Sequence, residues 1–192
     1  MKTRFPFRVS FALLCALAGA TGTVMAATDT WTGITDANWS SPGNWDAGGN
    51  APPQPGDALV FGFSPVTTLN NDLAAGTVVN GLNFSGGSLF TLNGNGIVLS
   101  GSATGNSTGM VNNSGLIQVL GTLPLTLDWG YYTFSSPAGG GLALNGGLSL
   151  NPGGLALFDY IVTSTSLTAD ATTGLIGGLQ GAGLIYNGSS PT

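Results

Sequence analysis

No apolar pattern with a helical period persists for eleven residues anywhere after Ala27. Gly, Asn, Pro, Ser and Thr interrupt every run, and these residues favour turns over helix interiors. What recurs instead is short alternation: Leu82 and Phe84 in GLNFSGG, Leu142 and Leu144 in GLALNGG, Leu148 and Leu150 in LSLNPGG, Leu155 and Leu157 in GLALF. Each is the period-two pattern of a half-buried strand bounded by a turn signal. Five Asn-Gly dipeptides, starting at Asn80, Asn93, Asn95, Asn145 and Asn187, are expected to supply positive-φ turns. The chain is predicted to be all-β.

Two all-β architectures fit short strands with Gly-rich turns. One is an antiparallel β-sandwich or jelly roll. The other, preferred here, is a parallel β-helix (β-solenoid). The near-copies TLNGNGIVLSG and ALNGGLSLNPGG suggest internal repetition. Apolar strand centres near Val60, Val79, Leu99, Val119, Leu144 and Leu157 stand about 20 residues apart, close to one solenoid rung. Stacked rungs also require few charges, because like charges one strand apart repel across ~4.8 Å.

The charges meet that requirement in an extreme way. Lys2, Arg4 and Arg8 are the whole basic complement, and His is absent. From Ala27 onward the only charged side chains are Asp29, Asp36, Asp46, Asp57, Asp72, Asp128, Asp159 and Asp170. From Ala27 onward there is no cationic side chain to neutralise phosphates, so nucleic acid is not an expected partner. His is absent and the single cysteine is Cys15, so from Ala27 onward there is no zinc site, no Ser–His–Asp or Cys–His pair and no disulfide.

Residues 1–26 read as a cleaved secretory signal peptide. A basic start precedes the apolar run VSFALLCALAGA and then a small-residue region, with Val24 and Ala26 at −3 and −1 of a cleavage site. The run falls short of the ~20 residues of a spanning helix, so no transmembrane anchor is expected after cleavage. Residues 27–56 hold Trp31, Trp39 and Trp45, three of the four tryptophans, and four prolines. They are expected to form a cap on the open end of the solenoid, whose apolar core needs a lid. Residues 57–192 are assigned to the rungs.

The spacing Trp31-Thr32-Gly33, Asp36-Ala37-Asn38-Trp39-Ser40, Asn44-Trp45 and Gly56-Asp57-Ala58-Leu59-Val60-Phe61-Gly62 resembles the start of a known family. These are secreted bacterial proteins with autotransporter-associated β-strand repeats, also called passenger-associated transport repeats. The likeness continues through Asn70-Asn71-Asp72-Leu73 to Gly81-Leu82-Asn83-Phe84-Ser85, and only GAGLIYNGS near the end approaches the family's repeat. The resemblance implies a parallel β-helix passenger at the surface of, or released from, a Gram-negative-type cell, with a structural or adhesive role and no catalytic residues. Its partners would be extracellular polysaccharide or a host or neighbouring cell surface.

Only aspartates could perform acid–base chemistry. Asp128 and Asp159, each beside aromatics, form the best-placed pair for a polysaccharide hydrolase. Solvated rung-end carboxylates are the simpler reading, so no catalytic residue is assigned and the chain is read as no enzyme. Asp29, Asp36, Asp46 and Asp57 could converge on calcium. Neither an EF-hand nor a Gly-Gly-x-Gly-x-Asp repeat is present, and no metal or cofactor is expected. The ligand-binding candidates are Trp31, Trp39 and Trp45: as exposed indoles they would make a sugar-stacking platform in a carbohydrate-binding module, and as buried ones they would plug the solenoid.

Overall fold

The computed structural model describes residues 26–46, 51–100, 107–151, 154–158, 162–164, 167–169 and 184–186. Their strands form three parallel sheets wound into a β-solenoid. The first sheet holds β1 (Thr28–Trp31), β2 (Ala58–Phe61), β5 (Gly81–Phe84), β8 (Ser107–Asn112), β11 (Gly130–Ser135) and β14 (Gly154–Phe158). The second holds β3 (Thr68–Asn71), β6 (Thr91–Gly94), β9 (Ile117–Leu120), β12 (Gly141–Leu144), β15 (Val162–Ser164) and β17 (Leu184–Tyr186). The third holds β4 (Thr77–Val79), β7 (Ile97–Leu99), β10 (Leu125–Leu127), β13 (Leu148–Leu150) and β16 (Leu167–Ala169). Four complete turns run from β2–β4 to β11–β13, and β14, β15 and β16 continue each sheet. The helical content of the described residues is one 3₁₀ turn, Pro42–Asn44.

Every ladder between named strands is parallel, which excludes the sandwich. A turn covers the distance from Ala58 to Gly81, or from Gly130 to Gly154, near the spacing expected from the strand centres. Those centres are not equivalent to one another, however. Val60 and Leu157 lie in the first sheet, Val119 and Leu144 in the second, Val79 and Leu99 in the third. Three strands per turn, each with its own alternation, blur a one-dimensional period. The two near-copies are equivalent: both run from a second-sheet strand around a corner into the third sheet, two turns apart.

Alternation places one ladder of side chains inside each sheet. Leu69, Leu92, Leu120 and Leu144 stack through the second sheet, and Val79, Leu99, Leu127 and Leu150 through the third, all buried. Each fully buried side chain of this size stabilises the fold by ~1.5–3 kcal/mol. On the outside of the second sheet, Asn38, Asn70 and Asn93 occupy successive register positions, and Asn70 Nδ2 donates to Asn38 Oδ1 at 3.0 Å.

The Asn-Gly expectation needs correction. Among the four such dipeptides in the described residues, only Asn93-Gly94 carries a positive φ, 97° at Gly94. The Asn-Gly signal belongs to tight hairpins between antiparallel strands. Here each corner joins strands of different sheets, so that turn is not called for. Positive φ falls mostly on glycines outside these dipeptides, Gly56, Gly76 and Gly139 among them, and other glycines serve close approach: a Cβ on Gly86 would lie 2.5 Å from the backbone of Gly62 and Phe63 in the turn before.

Residues 26–46 are more regular than a lid of loops. β1 adds a strand to the first sheet, and Asn38 bridges Asn70 in parallel to extend the second. The chain then doubles back so that Trp45 bridges Trp31 in antiparallel fashion. Met1 to Met25, the bulk of the expected signal peptide, lies outside the described residues, as do Asp159, Asp170 and Asn187-Gly188.

Candidate functional site

The three tryptophans singled out from the sequence come together, inside the solenoid. Trp31, Trp39 and Trp45 are all buried. Trp45 packs edge-on against Trp31 at 5.1 Å and against Trp39 at 5.9 Å, and both Trp39 and Trp45 reach Phe61 in turn one. Edge-to-face contact sets the positive ring edge against the negative ring face. Trp31 Nε1 donates to Val66 O at 3.0 Å and Trp45 Nε1 to Trp39 O at 2.8 Å, whereas Trp39 Nε1 is buried without a partner. A sugar platform needs an indole face open to solvent, and these three have none.

The loop between Trp31 and Trp45 is shaped by Asp36 and Asn44. Asp36 Oδ1 accepts from Asn38 N at 2.7 Å and from Asn44 Nδ2 at 2.9 Å, and its Oδ2 accepts from Ser41 Oγ at 2.7 Å. These bonds favour the charged form and hold the carboxyl below its usual pKa, the Asn38 N–H contributing most, then Ser41. The buried Asn44 returns the favour, its Oδ1 accepting from Thr35 N and Asp36 N.

Asp29 is the opposite case. It faces inward, 1% exposed, with no donor to either carboxylate oxygen. Its neighbour Asp57 is also buried and accepts from Ala27 N at 2.8 Å and Gln54 N at 2.6 Å. Burial first, then the Asp57 charge, raises the Asp29 pKa to about 6; a protonated Asp29 can itself donate to Asp57, which adds to the rise. The four aspartates considered for calcium therefore divide between separate places. Asp36 closes its own loop, Asp29 and Asp57 face each other, and Asp46 uses its backbone N–H to bond Thr30 O at 2.9 Å. Among the described residues no three acidic or other metal-ligating side chains gather.

Two surface features were not selected from the sequence. The first is a set of exposed apolar side chains, one on each of four successive turns, Ile34, Phe63 and Leu89 in the corner between the first and second sheets and Ile117 at the start of β9, exposed by 75%, 85%, 50% and 57%. Each sits next to a residue that contacts the adjacent turn. Gly33 lies against Ser64, Ser64 N donates to Ser88 Oγ, and Gln118 Nε2 donates to Ser88 O. The second is Trp129, the fourth tryptophan, 55% exposed at the corner between the third and first sheets. Asp128 precedes it and accepts from Asn151 Nδ2 at 3.2 Å. The tryptophan most open to solvent is thus the one outside the Trp-rich segment. The signal for it was local: Leu125, Thr126 and Leu127 alternate, and Asp-Trp-Gly follows at the turn.

No helix of the described residues is long and apolar enough to cross a membrane. Comparison with family models, curated proteins and solved structures finds no match to this chain.

Proposed function

We propose that this is an exported, non-enzymatic protein with a structural or adhesive role at or outside the surface of a Gram-negative-type bacterium, akin to passengers with autotransporter-associated repeats. In this reading residues 1–26 are removed on export and Trp31, Trp39 and Trp45 plug the end of the solenoid. The observation that carries it is the exposed apolar set of Ile34, Phe63, Leu89 and Ile117 on a rigid rod. Soluble proteins seldom leave large apolar side chains grouped in solvent without a contact to make. The stacked parallel turns supply rigidity without cofactor or disulfide.

The test is attachment of cells displaying the protein to surfaces and to one another. Phe63→Ser with Leu89→Ser is expected to abolish attachment while leaving the melting temperature unchanged, because neither side chain is in the core. Full attachment by that double variant sinks the reading. A carbohydrate-binding role is supported by one separate feature, the exposed Trp129 with Asp128 and Asn151 beside it. Stacking plus carboxylate and amide hydrogen bonds suits a sugar ring. Because the other three indoles are buried, a fluorescence shift on adding polysaccharide should vanish in Trp129→Ala.

A further inference from the structure

The Asp29–Asp57 pair lacks a counter-charge in a chain that has no Lys, Arg or His after Arg8. One atom is already placed to become one. Ala27 N lies 2.8 Å from Asp57 Oδ1, and Ala27 O accepts from Ala58 N at 2.8 Å, so both sides of Ala27 are tied to the start of β2. Asp29, two residues on, is buried with both oxygens unpartnered. The sequence places the signal cleavage site at the bond before Ala27.

We propose that export processing completes this site: the α-ammonium created at Ala27 is the cation that Asp57 and Asp29 receive, locking β1 onto the solenoid. The inference rests on the signal-peptide reading above. Hydrolysis of the Ala26–Ala27 peptide bond by a signal peptidase consumes one water, leaves a carboxylate on Ala26 and frees an amine on Ala27. That amine, with a reference pKa of ~7.7–8.0, is mostly protonated at neutral pH. An amide N–H that donates one neutral bond becomes a charged group with three donors. One continues to Asp57 and another is available to the carboxylate of Asp29. The other carboxylate on a neighbouring segment is Asp46, held by its backbone to Thr30. No positive side chain among the described residues competes. The unprocessed chain therefore faces two buried carboxyl groups, and the processed chain a pair with a cation.

The same composition makes the test direct, because residues 27–192 contain no lysine, so among them the Ala27 α-amine is the only primary amine. The exported product is purified, its intact mass fixes the first residue, and acetylation by an amine-reactive acetyl ester is timed at pH 7. Ion pairing should slow acetylation about tenfold in the folded protein relative to the same chain in urea. Asp57→Asn should abolish that protection, while the distant Asp128→Asn should keep it. Should Asp57→Asn fail to fold, the wild-type product carries the test: its acetylated form should melt below the free-amine form at pH 7, and the difference should shrink at pH 5. A product that begins at Ala27 but reacts equally fast folded and unfolded, or melts unchanged after acetylation, overturns the inference alone. A product with any other first residue overturns the cleavage reading, and the inference with it.

Discussion

Along the corner between the first and second sheets, turns one and two place rings in the interior, whereas turn three places the amides of Asn112 and Gln118 there and turn four Ser136 and Leu142. Phe61 and Phe84 stack at 5.2 Å, and Phe90 lies 5.5 Å from Phe61. One turn further, the register partner of Phe84 is Asn112. Asn112 Nδ2 donates to Leu116 O at 2.6 Å and Gly141 O at 2.8 Å, while its Oδ1 accepts from Ser114. Gln118 accepts from Phe90 N at 2.7 Å and donates to Ser88 O and to Ser114 Oγ. Ser136 bonds back to Asn112 O. The backbone path decides which positions face inward, and two chemistries meet that demand. Rings do so by area and shape, and amides by satisfying backbone groups that the corner leaves unpaired.

The comparison predicts different failures in the two regions. Phe84→Ala should be the most damaging change, at ~3–5 kcal/mol, because a cavity opens between Phe61 and Phe90. Asn112→Leu should cost ~2–3 kcal/mol although it adds apolar volume to an interior site, because Gly141 O loses the Asn112 donor and Leu116 O keeps the long 3.4 Å bond from Gly141 N in place of a short one. Urea melts of both variants check the pair, and an Asn112→Leu protein as stable as the parent would remove the distinction. Within the ring region, Trp45→Phe should cost ~1 kcal/mol more than Trp39→Phe, since only the Trp45 N–H has a partner to lose. The reverse order in the same melts would mean that the Trp39 N–H is bonded.

The smallest effect separates two aspartates of one segment by the sign of their pH dependence. In the chain with residues before Ala27 attached, Asp29 has its folded pKa raised to about 6. Its favourable contribution is complete below pH 3.8 and is lost as pH rises through 6, about 1 kcal/mol of it between pH 5 and 7. Asp29→Asn should erase that loss. Asp36 has a lowered pKa, so its contribution is present above the unfolded value and is lost as pH falls through the folded one. Asp36→Asn should flatten the acid limb of a melting-temperature profile and leave the neutral limb alone. Matching profiles for the two variants would refute both assignments.

The sequence carried the architecture in its alternation, its repeat spacing and its want of charge. It did not carry the phase of every strand. Ile-Gln-Val-Leu at β9 reads naturally with the apolar Ile117 and Val119 inward, yet Gln118 and Leu120 are the buried residues and Ile117 is exposed. A buried amide that completes a corner is invisible until the neighbouring turn is in place, because Ser88 and Phe90 are about thirty residues away in sequence. Tryptophan density was equally ambiguous. It marked Trp31, Trp39 and Trp45, which pack on one another, while the isolated Trp129 faces solvent. The apolar set from Ile34 to Ile117 could not be read in advance for the same reason: its members fall on successive turns only through winding.

Winding also determines how such a molecule would respond to force. The hydrogen bonds between turns all point along the solenoid axis, so tension applied along that axis loads them one turn at a time. Freeing the 23 residues between Ala58 and Gly81 exchanges a rise of ~4.8 Å for roughly 80 Å of extended chain. A tether made this way would lengthen in discrete steps of more than tenfold per turn, absorbing work at each step before its ends come apart.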